Sequence, residues 1–225
     1  LVLERVEALR ENPALRPSLD SVLAALERVG GLEAIVGWID ELGLVVGSEA
    51  GEPWVAALAV PTDRAPAEAL AGSLLNLARL SLPGLRVEEA SADGTTIVSA
   101  AIPAPGGGQG FSLAWAVGAE VVVVAPDAAT VRRILAVDAE TSLGAAPRYA
   151  TLLARAGGSA GSSVTFIDLG RLRALGEATL PPAEAGRYER DVRPYLEPFE
   201  AAIAIARSDG SLERHVLVVR VAQVE

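Results

Sequence analysis

Catalysis needs a base, a nucleophile or a metal ligand, and this chain offers few of each. His215 is its single histidine, and the 225 residues include no cysteine, methionine or lysine. A catalytic histidine works beside a nucleophile and under an orienting acid. The sequence around His215, LERHVLVVRV, supplies neither. His215 shares a strand face with Leu217, Val219 and Val221 near a polar turn, and a structural or exposed role is the reading this supports. One histidine without cysteine gives no ordinary zinc ligand set within one chain. The lack of lysine removes Schiff-base catalysis, Ser-Lys dyads and the Walker-type phosphate loop. Gly106-Gly107-Gly108-Gln109-Gly110 has the composition of a phosphate loop but leads into a strand. No helix N-terminus then points at an anion, so it reads as a hairpin connection.

Carboxylates are the remaining candidates. Asp168 ends a predicted strand and precedes a predicted helix, where enzymes place acids and helices place N-caps. Capping, at about 0.5–2 kcal/mol, accounts for it without a substrate. Glu88-Glu89, Asp138 with Glu140, and Glu189 with Asp191 could lend oxygens to a hard cation. No Asp-x-Asp-x-Asp-Gly loop organises them, and they read as solvated surface acids. Paired-carboxylate hydrolysis stays open, because it asks only that two acids meet in space. Trp38, Trp54 and Trp115 fall on a predicted helix and two predicted strands. They either join the core or share a groove for an apolar or glycan ligand. No catalytic residue, cofactor ligand or metal ligand is assigned.

The elements that must position these residues are easier to read. Val2, Val6 and Leu9, then Leu19, Val22, Leu23, Leu26 and Val29, follow helical spacing. Leu32, Ile35, Val36, Ile39 and Leu42 repeat it, which predicts a helix ending at Gly43. Leu44–Val46 and Trp54–Val60 predict paired strands. Thr62 or Asp63 caps the next helix, with Pro66 in its first turn and Leu70, Leu74 and Leu77 as the buried stripe. Leu85–Ala90 and Thr95–Ile102 flank Asp93-Gly94, a hairpin signal. Phe111–Val117 alternates large and small residues, and Gly118-Ala119 fits a two-residue turn with positive φ at the glycine. Val121–Val124 is apolar on both faces and predicts an interior strand. Asp127 caps the following helix, whose Val131, Ile134 and Leu135 cover one side of that sheet.

Pro147 opens a further helix with Tyr149, Leu152, Leu153 and Ala156 on one face. Gly157–Ser163 is a flexible break and the best candidate for a sub-division of the chain. Val164–Asp168 predicts a strand, Leu169, Leu172 and Leu175 a short helix, and proline-interrupted helical sequence carries Tyr188, Val192 and Tyr195. Ala201–Ala206 and Leu212–Ala222 form a closing hairpin. WIDELGLVVGSEAGEPWVAALAV and PYLEPFEAAIAIARSDGSLERHVLVVRV echo one another as helix end, strand, turn and strand. Together these predict a single α+β domain, or a fragment of a larger one, with a mostly antiparallel sheet built from hairpins and covered by amphipathic helices; the weak echo leaves open whether the chain is internally duplicated.

Hydrophobic residues make up 51% of the chain, aromatics only 4%, and the net charge is −10. The mean hydropathy is +0.36. No apolar run approaches the ~20 residues of a membrane span. No basic stripe exists to displace counterions, which excludes a nucleic-acid partner from the expectations. The first residues are not a signal peptide, and the chain opens on Leu1, which suggests a fragment or processed form.

The order VVVVAPDAATVRRIL, SLGAAPRYATLLA, VTFIDLGRL and PYLEPFEAAIAIARSDGSLERHVLVVRV resembles a bacterial family catalogued as domain of unknown function 3352. The resemblance runs from about Trp38 to Val221. It implies an exported or membrane-tethered protein at the cell surface and brings no catalytic residues. The resemblance and the scarcity of nucleophile, base and metal ligands lead to the first expectation, a non-catalytic extracytoplasmic module for binding or scaffolding. The apolar excess leads to the alternative, a carrier of a hydrophobic small molecule in a cleft that helices cover incompletely. A carboxylate-dependent hydrolase is the third. The partner is a protein or an apolar ligand, and no cofactor is expected.

Overall fold

The computed structural model describes residue 27 and residues 31–49, 52–102, 110–159, 163–209 and 212–222. The two N-terminal helices expected before residue 30 and the glycine run at 106–109 lie outside these residues. The fold is α+β with antiparallel sheets. It divides into two units, one of Leu1–Gly47 and Trp54–Ala136, the other of Ser48–Pro53 and Val137–Glu225. The division falls at Ala136–Val137, so Gly157–Ser163 lies inside the second unit between a helix and a strand. No helix among the described residues is long and apolar enough to cross a membrane.

The first unit is a six-stranded sheet in the order β1-β2-β6-β5-β4-β3. Its strands are β1 (Ile39–Glu49), β2 (Glu52–Pro61), β3 (Arg86–Ala92), β4 (Thr95–Ile102), β5 (Phe111–Val117) and β6 (Val122–Ala125). Helix α1 (Gly31–Val36) precedes β1, α2 (Arg64–Ser81) joins β2 to β3, and α3 (Ala128–Leu135) follows β6. The helix expected through Leu42 therefore stops at Val36. Ile39 and Leu42 satisfy helical spacing, but pairing with β2 claims them for a strand, and tertiary pairing outweighs the small propensity differences involved. Trp38 consequently lies in the turn before β1, not on a helix.

Two turns illustrate how glycine is used differently. At Asp93-Gly94 both residues have positive φ, 48° and 77°, the type I′ geometry that suits the twist of a two-residue hairpin. The β5–β6 connection does not follow that pattern. It spans Gly118 to Val121, with Gly118 N–H donating to the Val121 carbonyl at 2.9 Å, and Gly118 has no positive φ. Glycine is required there because a Cβ would stand 2.9 Å from the Val121 carbonyl oxygen.

The predicted interior strand is present. β6 lies between β2 and β5, pairing Val122–Val124 with Ala57–Ala59 on one side and Val122–Ala125 with Ala114–Val117 on the other. It begins at Val122, one residue later than expected. Small side chains on one sheet face, Ala56, Ala114, Ala116 and Ala125, let α3 approach closely, and Val131, Val123 and Ile97 close that core with no exposure. Asp127 caps α3 by accepting from Thr130 N at 2.8 Å and from the Thr130 hydroxyl at 2.9 Å.

The second unit carries the three-stranded sheet β7-β8-β9, formed by Ser163–Asp168, Phe199–Asp209 and Leu212–Val221. Helix α4 (Pro147–Arg155) covers one face, placing Leu152 and Ala156 on Ala201, Ile203 and Ile205. Tyr149 meets Phe166 edge to face at 5.3 Å. Helices α5 (Leu169–Ala178), α6 (Pro182–Asp191) and α7 (Arg193–Leu196) run between β7 and β8.

Candidate functional site

The sheet face opposite α3 is the less finished one. Asp63 caps α2 by accepting from Ala65 N at 3.0 Å, with Pro66 tolerated in the first turn. The start of α2 is tied to the sheet through the Trp38 carbonyl, which accepts from Thr62 N at 2.7 Å and from the Thr62 hydroxyl at 3.1 Å. Trp38, Ala59, Ala67 and Val122 pack together at this end. Beyond Ala67 no residue of α2 is fully buried. The stripe expected to be buried is only partly so: Leu70 is half-buried and Leu74 remains 43% exposed.

The space this leaves is an open cleft of about 420 Å³. Ala67, Leu70, Ala71, Leu74, Leu75 and Ala78 form its roof at i, i+3, i+4, i+7 spacing. Leu113, Trp115, Val122, Val124 and Ala100 form its floor, with Trp38, Leu42, Leu82 and Phe111 also on its walls. Every lining residue among those described is apolar. Leu42 and Phe111 are 75% and 62% exposed at its rim. The large face of β5 seen in the sequence thus looks into a cleft, while its alanine face carries the dense core. A smaller hollow of about 310 Å³ shares Ala71, Leu75 and Trp115 and is more polar, with Arg64, Glu68 and Thr96 on its wall. Arg64 Nε donates to Glu68 at 2.7 Å there.

Two of the three tryptophans, Trp38 and Trp115, therefore meet at one groove. Trp54 lies on the opposite face of the sheet, packed against the α3 core. The sequence named Leu70 and Leu74 of α2 and the large face of β5 separately; it also named Leu77, which is not on the cleft, and missed Leu75, which is. What it lacked was the crossover that sets one over the other, since β2 and β5 are not paired and β6 stands between them.

The acids go elsewhere. Asp168 caps α5, accepting from Arg171 N at 2.9 Å, and takes Arg148 Nη1 at 3.4 Å. Glu89 faces Arg79 at 4.0 Å, Glu189 takes Arg193 at 2.7 Å and Asp191 faces Arg187 at 3.8 Å. Asp138 closes a turn, accepting from Thr141 N, the Thr141 hydroxyl and Glu140 N at 2.7–3.0 Å. The Thr141 hydroxyl bond foremost, then the backbone donors, hold its carboxyl below the ordinary 3.8. In the second unit Glu177 accepts from the Tyr188 hydroxyl at 3.1 Å, with Arg173 and Arg193 each at 3.7 Å. Desolvation, then that bond to Glu177, raises the Tyr188 phenol. These are caps, turns and ion pairs that fix helices. His215 is exposed on β9, on the face of Leu217 and Val219. Among the described residues no three His, Cys, Asp or Glu gather as a metal site.

Comparison with protein-family models, with curated proteins and with solved structures finds no match to this chain.

Proposed function

We propose that this chain is a non-catalytic binding module that holds an apolar small molecule in the cleft between α2 and the six-stranded sheet. The observation that carries this reading is the cleft itself: about 420 Å³, its described lining made of apolar side chains. That volume lies in the ~300–1,000 Å³ range of small-molecule sites. Filling it removes apolar surface from water at about 25 cal/mol per Å². Among the described residues its walls carry no carboxylate or hydroxyl, which favours holding a ligand over transforming it. The adjoining hollow at Arg64 and Glu68 gives the polar end of such a ligand a wet exit, so a single-chain amphiphile suits the pair. The resemblance to the domain of unknown function 3352 family supports an extracytoplasmic setting for this binding.

Native mass spectrometry and solvent extraction of the purified chain, with titration of a fluorescent polyene fatty acid, test the reading. The expected result is saturable uptake with energy transfer from tryptophan, lost in Ala71→Trp, which fills the cleft from the helix side. Circular dichroism of that variant should match the parent. No extracted apolar compound together with no saturable uptake overturns the proposal, as does unchanged uptake by a folded Ala71→Trp variant.

A further inference from the structure

The echo seen in the sequence has a structural counterpart. Strands β1 and β8 each have eleven residues, and strands β2 and β9, each separated from β1 or β8 by two residues, have ten. Position for position the second strands match in what they do. Ala56 and Leu58 of β2 face the core under α3, and Val216 and Val218 of β9 face the core under α4. Ala57 and Ala59 take the opposite face, as do Leu217 and Val219. The two hairpins differ in one respect. The outer edge of β2 is filled by β6, through Ala57 with Val124, Leu58 with Val123 and Ala59 with Val122. β9 pairs with β8 alone and ends its sheet among the described residues.

We propose that the outer edge of β9 is a docking site for an extended segment of another polypeptide, with the chemistry of β6: uncharged, β-branched, and followed by a carboxylate. An unfilled strand edge offers a row of backbone donors and acceptors, and such edges are ordinarily defended by charge, proline or a bulge. Between Arg214 and Arg220 the run Val216–Val219 has no charge and no proline, and its Leu217 is 68% exposed. Charge supplies the register. If a β6-like strand pairs with β9 as β6 pairs with β2, the counterpart of Asp127 falls opposite Arg214. Arg214 already stands directly across from Arg207, whose guanidinium donates to the Gly157 carbonyl at 2.7 Å; a carboxylate on the third strand offsets the like charge that Arg214 adds. Addition of a strand to a free edge is an established mode of peptide recognition.

The test uses the full chain and the peptide EVVVVAPD, residues 120–127 of this sequence, with hydrogen exchange read by mass spectrometry. The peptide should slow exchange across Val216–Val219. Arg214→Glu should weaken this several-fold, and a peptide ending in Arg in place of Asp should restore it. No added protection on β9, or no effect of Arg214→Glu, overturns the proposal. So does protection of the same amides by self-association of the chain without peptide, which would assign the edge to a second copy.

Discussion

The guanidinium of Arg133 lies 5.4 Å from the centre of the Trp54 ring. The same ring covers Gly47, where a Cβ would overlap it. Trp54 is thus held between a cation on α3 and a bare stretch of β1 backbone. Arg133→Ala should cost roughly 0.5–2 kcal/mol, the range of cation–π contacts from exposed to desolvated sites. Gly47→Val should cost more, about 1–3 kcal/mol, because the ring has to leave its place. Denaturant melts followed by tryptophan emission give both values.

At the sheet centre, Val123→Asp and Asp127→Ala should separate clearly. Val123 has no exposure between two paired strands, and an unpaired carboxylate there should unfold the first unit. Asp127→Ala removes a cap and should cost about 1 kcal/mol. Similar small losses in melts of the two variants would contradict an interior β6.

In the second unit, Leu152 is 1% exposed over Ile203 and Ile205. Leu152→Ala should lower stability by about 2–5 kcal/mol, the loss of transfer energy plus the cavity left behind. Leu172→Ala, at a position 54% exposed on α5, should fall within about 0.5 kcal/mol of the parent. Parallel urea titrations make the comparison.

The Asp138 turn predicts an acid response of definite sign. Its folded carboxyl titrates below the ordinary 3.8, so its contribution is fully present above that value and fades as pH falls through the lowered one. Thr141→Val removes the hydroxyl donor and should move the titration upward. Carboxyl-carbon NMR of the two proteins measures it directly, and an unchanged midpoint would show that the hydroxyl bond is not the leading cause.

Local signals in the sequence located the local features well. Asp63, Asp127 and Asp168 each cap the helix they precede, because capping involves only a few adjacent residues. Asp93-Gly94 likewise encodes its own turn. The failures share a cause. Ile39 and Leu42 obey a helical period, yet a strand partner in β2 decides their state. The cleft depends on which strand face α2 crosses, and that is set by pairings between residues far apart in the chain. Periodicity in Leu70, Leu74 and Leu77 reports an apolar face and says nothing about how completely another surface covers it.

The position of β6 also bears on the order in which the first unit is assembled. β3, β4, β5 and β6 follow one another as neighbours, so their pairings need only short excursions of chain. The seam between β2 and β6 joins Ala57 to Val124, 67 positions apart, and closing that loop costs on the order of 1–2 kcal/mol more than closing a hairpin before any contact rewards it. The β1–β2 hairpin should therefore be the last piece to join the sheet. Until it does, the β6 edge that β2 will fill stays open to solution. Pulse-labelled exchange during refolding should protect the amides of β4 and β5 before those of β2, and crowding or chaperone depletion should act on the interval between.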